Sequence, residues 1–458
     1  MYRHLADAIR TLVLDGRIAL HIKLPAEREL APCLKLSRAT VTAAYDLLRE
    51  SGYARSRRGS GTWTALPDGN RPAAVNRMLT SESAAIDLTI AAFGLSVDVV
   101  TEALDRSTVL LAQHAGTTGY HPFGLQELRT AVADRYTLRG LPTRPEQIFI
   151  TSGAQQALMF LFWALCRPGG SVMVENPTYP NALEAIRRAR LRTVPVPVSD
   201  DGWDDEVMQA TLRQVAPRLA YLIPDFHNPT GCLMPVDQRV RLLRAARVSG
   251  TWLAIDETFT DTALDVPTPG PFASHAGPGE ADHIISIGSM SKSHWGGLRI
   301  GWLRATPQLI EELAGLRVTV DTAGSVLDQL VAVALLERDD VLLPARIAQI
   351  RQQRSALMTA LATHAPQWTT RWPPGGLSAW VDLGQPVATA LAQRAIGHGV
   401  HIESGTRFSP DPGTFEHRLR IPYTLPPVQL DEAVRRLVEA LHGGVPLVAA
   451  VKRPRWVA

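Results

Sequence analysis

Apolar residues recur at helical spacing from the start of the chain: Leu5, Ile9, Leu12 and Val13 make one stripe that ends near Gly16. Leu24-Pro-Ala-Glu-Arg-Glu-Leu-Ala31 predicts a second, short helix. Its proline and acidic residues fall in the first turn, where a missing N–H and the helix dipole favour them. Ser37 is a good N-cap for a third helix, in which Val41, Ala44, Tyr45 and Leu48 fall at i, i+3, i+4 and i+7. That spacing turns Arg38, Ala39, Thr42 and Arg49 outward. After Gly52, the stretch from Tyr53 to Trp63 reads as two short strands around a basic, glycine-bearing turn. Three helices, a short turn before the third and then a basic hairpin predict a winged helix-turn-helix over residues 1–64, whose third helix enters the major groove of double-stranded DNA.

From 65 to 85 turn formers dominate and no period holds, which predicts a linker. Near Ile86-Asp-Leu the apolar pattern resumes, and alternating strand and helix signals to residue 458 predict an α/β layered domain. A length of 458 residues agrees with at least two domains. With 45% hydrophobic and 20% charged residues and no apolar run of the roughly 18 to 20 residues that a bilayer span needs, no membrane partner is expected. The first residues lack a secretion signal, so a cytoplasmic location is expected. Cys33, Cys166 and Cys232 are scattered and lack CxxC spacing, so neither disulfide nor metal site is expected, and burial as small hydrophobes is. Charge separates the two modules: residues 1–63 hold 11 Lys and Arg against 6 Asp and Glu, a local charge of +5, leaving −2 for the rest. A basic module on a nearly neutral body fits nucleic-acid binding.

Of 47 basic side chains only four are lysine, namely Lys23, Lys35, Lys292 and Lys452. An ammonium, unlike a guanidinium, can lose its proton and condense with an aldehyde. Lys292 also has a telling context. Ile284-Ile-Ser-Ile-Gly-Ser-Met-Ser-Lys292 runs from an apolar strand into a small-residue turn, and Trp295-Gly-Gly-Leu-Arg-Ile-Gly-Trp302 follows. Upstream, Ile148-Phe-Ile-Thr-Ser-Gly-Ala154 is an apolar strand, a tight turn and a helix start, where backbone N–H groups can cradle phosphate. Glu175-Asn-Pro-Thr-Tyr-Pro180, His227-Asn-Pro-Thr-Gly231, Leu253-Ala-Ile-Asp256, Gly375-Gly-Leu-Ser-Ala-Trp380 and Leu419-Arg-Ile-Pro-Tyr423 complete the series.

Residues 1–63 resemble the GntR family of bacterial transcription regulators through Leu-Pro-Ala-Glu-Arg-Glu-Leu-Ala, Leu-Ser-Arg-Ala-Thr-Val and Arg-Gly-Ser-Gly-Thr. The later motifs resemble fold type I aminotransferases, and the fusion resembles the MocR subfamily over nearly the full chain. This likeness implies an α/β protein: an N-terminal winged helix-turn-helix, then a fold type I domain with a large, mostly parallel sheet and a small C-terminal α+β part from roughly 330 to 458. It implies pyridoxal 5'-phosphate (PLP) as cofactor. Lys292 is then its Schiff-base lysine, Ser289 and Arg299 bind its phosphate together with the Ser152-Gly153-Ala154 turn, Tyr179 stacks on its ring, Asn228 donates to its phenolic oxygen, and Asp256 keeps its pyridine nitrogen protonated. Arginine suits the phosphate because its fork donates twice.

The likeness further implies that Arg420 receives a substrate or effector α-carboxylate and that Tyr120 lies at the mouth of a site shared between two subunits of a homodimer. On the DNA side it implies contacts from Arg28, Ser37, Arg38, Thr40, Arg57 and Gly59, with Arg38 the candidate for a base contact. One departure matters: Thr258 and Phe259 stand where many fold type I proteins have a tyrosine on the phenolic oxygen. The expectation is a PLP-binding regulator of transcription that senses PLP or a small amino compound as its aldimine. The alternative is an active aminotransferase with an accessory DNA-binding module.

Overall fold

The computed structural model describes residues 1–57, 61–67, 86–277, 279–411 and 413–443. Gly59 of the expected wing turn and residues 68–85 of the expected linker lie outside these, and of Arg57 only the backbone is described. The chain divides into two compact units, one of Met1–Ile90, Gln353–Arg371 and Ala379–Ala458, the other of Ala91–Gln352 and Trp372–Ser378. The sheet unit therefore takes residues 330–352, where the sequence places the start of the small C-terminal part; Leu330 and Leu335 are fully buried in its core.

In the first unit, helices Tyr2–Leu14, Glu27–Cys33 and Arg38–Glu50 precede an antiparallel hairpin of Ala54–Arg57 and Gly61–Thr64. The helical stripes meet as expected, since Ile9, Val13, Val41, Tyr45 and Leu48 are buried in one cluster. Ser37 caps the third helix by accepting from the Thr40 N–H at 3.1 Å. The second helix starts later than its sequence predicts: Pro25 precedes it, Ala26 is the N-cap, and only Glu27 and Glu29 occupy the first turn. The displaced Pro25 has its own task, because its carbonyl accepts from the buried Tyr45 hydroxyl at 2.9 Å and fixes the entry to the second helix against the third. Burial, and then the charge of Glu27, push the Tyr45 phenol up to about 12. Cys33, expected to be buried, is exposed.

The rest of this unit holds strand Ser378–Asp382 from Ala379 onward, then Arg418–Pro422 and Glu403–Ser404, in one sheet and in that order, with helices Ala388–Gly397 and Pro427–His442. A further parallel pair joins Val400–His401 to Ile86–Asp87. Two bonds tie the end of the first helix to the Arg418–Pro422 side: the Phe415 N–H donates to the Leu14 carbonyl at 2.7 Å, and His417 Nε2 lies 3.0 Å from Asp15 Oδ1.

The second unit is built on an eight-stranded sheet in the order Ile148–Thr151, Gly301–Arg304, Ile284–Ser289, Trp252–Asp256, Leu219–Leu222, Ser171–Asn176, Arg192–Ser199, Gly202–Trp203. The five strands from Ile284–Ser289 to Arg192–Ser199 run parallel, while Gly301–Arg304 and Gly202–Trp203 are antiparallel to their neighbours. The central strands are continuous apolar runs because both faces are covered, as in Leu219–Leu222, buried at every position. Among the described residues no helix is long and apolar enough to cross a membrane.

Replacing Tyr45 by Phe removes the donor to Pro25 without changing the ring. A loss of about 1 kcal/mol is expected in urea unfolding followed by a signal from the N-terminal module.

Candidate functional site

The parallel strands deliver the candidate functional residues at their carboxyl ends, the edge at which open α/β sheets bind ligands. Tyr179 follows Ser171–Asn176, Asn228 follows Leu219–Leu222, Asp256 ends Trp252–Asp256, and Lys292 follows Ile284–Ser289. These four strands are consecutive neighbours in the sheet, so residues spread over more than a hundred positions of sequence share one edge.

Lys292 lies on a five-residue π-helical turn, Ser291–Trp295, a form often found at functional positions. Its ammonium donates to the Ala91 carbonyl at 2.8 Å and lies 5.6 Å from the centre of the Phe259 ring. The position that the sequence marks as lacking a tyrosine thus places an apolar ring beside the amine. Thr258 is turned to another use, because its backbone N–H donates to Asp256 Oδ1 at 3.0 Å. The other carboxylate oxygen of Asp256 accepts from the Tyr221 hydroxyl at 2.7 Å. Burial raises the Asp256 carboxyl above its ordinary range, while the bonds from Tyr221 and Thr258 and the nearby Lys292 charge oppose the rise.

A second cluster forms at the N-terminus of helix Ala154–Leu165. Gly153 caps it with φ +93, a conformation open to glycine, and a Cβ there would lie 2.8 Å from Arg299 Nη2. Arg299 itself takes φ +53, and its Nη2 donates to the Ser152 carbonyl at 2.7 Å. A Cβ on Gly301 would meet the Gly153 backbone at 2.7 Å, so two glycines let strand and helix start close up around the guanidinium. Ser289 reaches the same strand end, donating to the Ile300 carbonyl at 3.1 Å and accepting from the Ser291 N–H at 3.2 Å. Helix-start N–H groups, a guanidinium and a hydroxyl form a donor set suited to a phosphate dianion.

Sequence reasoning missed the layer beneath. Glu175, fully buried, accepts from Trp203 Nε1 at 2.7 Å and from the Ile223 N–H at 2.9 Å. His227, just before Asn228, places Nε2 3.3 Å from Glu175 Oε2 and Nδ1 2.8 Å from the Thr230 hydroxyl, which braces the Asn228 turn. A Cβ on Gly231, with φ +74, would collide with Pro373, so this turn also needs glycine. Tyr179 is half-buried at the start of helix Pro180–Arg188, its hydroxyl accepting from Asn181 Nδ2 at 2.9 Å. Tyr120 is 69% exposed.

Arg420 belongs to the other unit. It is buried on strand Arg418–Pro422, stacks 5.2 Å from the Phe408 ring centre and donates to the Thr89 carbonyl. In the same unit Arg38 is exposed, Thr40 shares a 2.8 Å hydroxyl contact with Ser37, and the Arg28 side chain is 78% exposed. Arg49, expected on the outer face with Arg38, instead donates to the Thr62 hydroxyl at 3.0 Å and ties the third helix to the hairpin.

A mostly parallel sheet that sets a lysine, a buried aspartate and an anion cradle at the carboxyl ends of its strands is the fold type I architecture of PLP-binding proteins. Residues 86–437 match the family model for aminotransferase class I and II, and residues 1–63 that for bacterial regulatory proteins of the gntR family. The chain belongs to the aminotransferase class I and II family and, with the gntR module fused ahead of it, to the MocR subfamily. It is 30% identical over 363 residues (74% of this chain, 71% of the relative) to the probable rhizopine catabolism regulatory protein MocR of Rhizobium meliloti. It is 32% identical over 345 residues (73% and 83%) to 2-aminoadipate transaminase of Thermus thermophilus. The crystal structure of LysN, the α-aminoadipate aminotransferase of Thermus thermophilus, complexed with N-(5'-phosphopyridoxyl)-L-leucine, superposes with a TM-score of 0.73 at 28% identity, covering 82% of this chain and 96% of that one. PLP is the cofactor, and the cradle around Gly153, too narrow there for a Cβ, fits its phosphate.

Next to Lys292, His294 is buried with Nε2 2.9 Å from Asp339 Oδ1. Asp339 is also paired with Arg135, and burial first, then the charges of Arg135 and Arg346, push His294 down to about 4 against the pull of Asp261. The unfolded chain takes up this proton near 6.5, the folded chain only near 4, so stability falls as pH drops through that window and is level above it. The expected loss is about 3 kcal/mol. Comparing unfolding free energies at pH 4.5 and pH 7.5 tests it: His294→Gln should lack most of that decline.

Proposed function

We propose that the protein is a transcription regulator that binds operator DNA through its N-terminal module and senses PLP, or a small amino compound presented to PLP, through its sheet unit. The carrying observation is the Phe259 ring beside Lys292, where a phenol would serve turnover, in a chain whose DNA-reading helix is capped and exposes Arg38. When bound, PLP supplies an aldehyde for amines and a ring that withdraws electrons. The Lys292 amine meets the aldehyde, Arg299, Ser289 and the Ser152-Gly153-Ala154 turn hold the phosphate, and Tyr179 packs on the ring. Asn228 donates to the phenolic oxygen, and Asp256 keeps the proton on the ring nitrogen. Arg420 takes the effector carboxylate, as a guanidinium that is already ordered loses little entropy in doing so.

The DNA contacts come from Arg28, Ser37, Arg38, Thr40 and Arg57, with Arg38 reading a base edge and the others setting register on the phosphates. The chain works as a homodimer, for which Tyr120 is available to the site of a second copy. An active aminotransferase is the second reading, favoured by the presence of Lys292, Asp256 and Arg420 together and by the likeness to a transaminase.

One measurement separates these readings, and two substitutions test the roles assigned to Lys292 and Arg38. Purified protein mixed with an amino acid and a keto-acid acceptor should stop near one equivalent of product; many turnovers would show that sensing is not the whole activity. Lys292→Ala should abolish the covalent attachment of the cofactor, read as loss of label after borohydride reduction, in a chain that stays folded. Arg38→Ala should weaken specific operator binding by about 5- to 150-fold, the equivalent of one bidentate base contact, with the cofactor absorbance unchanged.

A further inference from the structure

We propose that Tyr221 is a positioning residue for the cofactor ring: its phenol holds Asp256 in place as the carboxylate that faces the pyridine nitrogen. The inference rests on the assignment of Asp256 to that nitrogen. Tyr221 lies on Leu219–Leu222, parallel to Trp252–Asp256, with Tyr221 opposite Ala254. Side chains two apart share a face of a strand, so Tyr221 and Asp256 meet diagonally on one face of the sheet. The phenol donates to Oδ2 at 2.7 Å while the Thr258 N–H donates to Oδ1 at 3.0 Å. One donor on each oxygen fixes the plane of the carboxylate and leaves each oxygen a lone pair for a third donor.

Both side chains are buried, Tyr221 to 1% and Asp256 to 7% exposure, and an ionised carboxylate in so dry a place depends on the bonds it accepts. Without the phenol, the pair formed with the ring nitrogen shifts toward its neutral form, in which the proton sits on Asp256. The other titratable groups facing the pair are Lys292, which favours the carboxylate, and Tyr179 and Glu175, which face the phenol. Glu175 is held by Trp203 and Ile223 and so has its own partners.

The test uses the full chain loaded with PLP and compares Tyr221→Phe with Asp256→Asn. Two quantities are read: the equilibrium dissociation constant for PLP and the pH midpoint of the absorbance of the bound cofactor. Tyr221→Phe is expected to weaken PLP binding by about 10-fold, the worth of one hydrogen bond to a charged group. It should also move the midpoint upward by about one unit, because a less fully protonated ring withdraws less charge. Asp256→Asn should lose more. Should Tyr221→Phe bind PLP normally with an unmoved midpoint while Asp256→Asn fails, the phenol only packs and the proposal is overturned. If Asp256→Asn also binds normally, the assignment of Asp256 fails first and takes the proposal with it. Circular dichroism of the apo chains checks folding, and 3-fluorotyrosine at 221, which keeps the hydroxyl, should restore the wild-type constant; loss of affinity there too would assign the effect to packing and overturn the proposal.

Discussion

A carboxyl group removed from water at the end of a parallel strand sets the terms for much of the sheet unit. Desolvation favours the neutral acid, and the bonds that Asp256 accepts favour the carboxylate. The fold meets this with a donor from the neighbouring strand, a donor from the turn that follows, and the lysine from the strand on the other side. All three depend on register. A slip of one residue between Leu219–Leu222 and Trp252–Asp256 would turn Tyr221 to the opposite face, so the apolar runs that lock these strands together also decide which donors reach Asp256.

The anion cradle shows a similar economy of backbone. Gly153, Gly301 and the left-handed Arg299 are mutually required: each glycine lets the other segment approach, and the approach seats the guanidinium on the Ser152 carbonyl. A positive charge is thereby held in a fixed place at the helix start, and an anion binding there would require little further ordering of the chain.

Much of this was readable in the order of residues, for definable reasons. The winged module follows local rules, and Ser37, Val41, Tyr45 and Leu48 take the cap and core positions their spacing predicts. Lys292 stood out because lysine is rare in the chain, and its strand and turn follow local composition. Tyr221 did not stand out, since a tyrosine in an apolar run reads as core, and its partner lies 35 positions away. Arg49 gave no sign of turning to the hairpin, as Thr62 is reached only through the fold. Pro25 stands before the N-cap Ala26 and not in the first turn, because the same residue type suits both a first helical turn and the extended segment that leads into it. The compact units also escaped the sequence, which joins residues 353–371 and 379–443 to the start of the chain only through distant pairings such as Ile86 with Val400.

The bonds that Phe415 and His417 make to Leu14 and Asp15 bear on how this protein can be taken apart. A fragment ending at residue 64 would have every helix of the winged module, yet it would hand a helix-terminal carbonyl and a carboxylate back to water. The fragment would then carry a solvated carboxylate at the close of its first helix that the intact chain holds against the His417 ring. The winged module cut at that point therefore differs from the same module in the whole chain at the close of its first helix, away from the helix Arg38–Glu50.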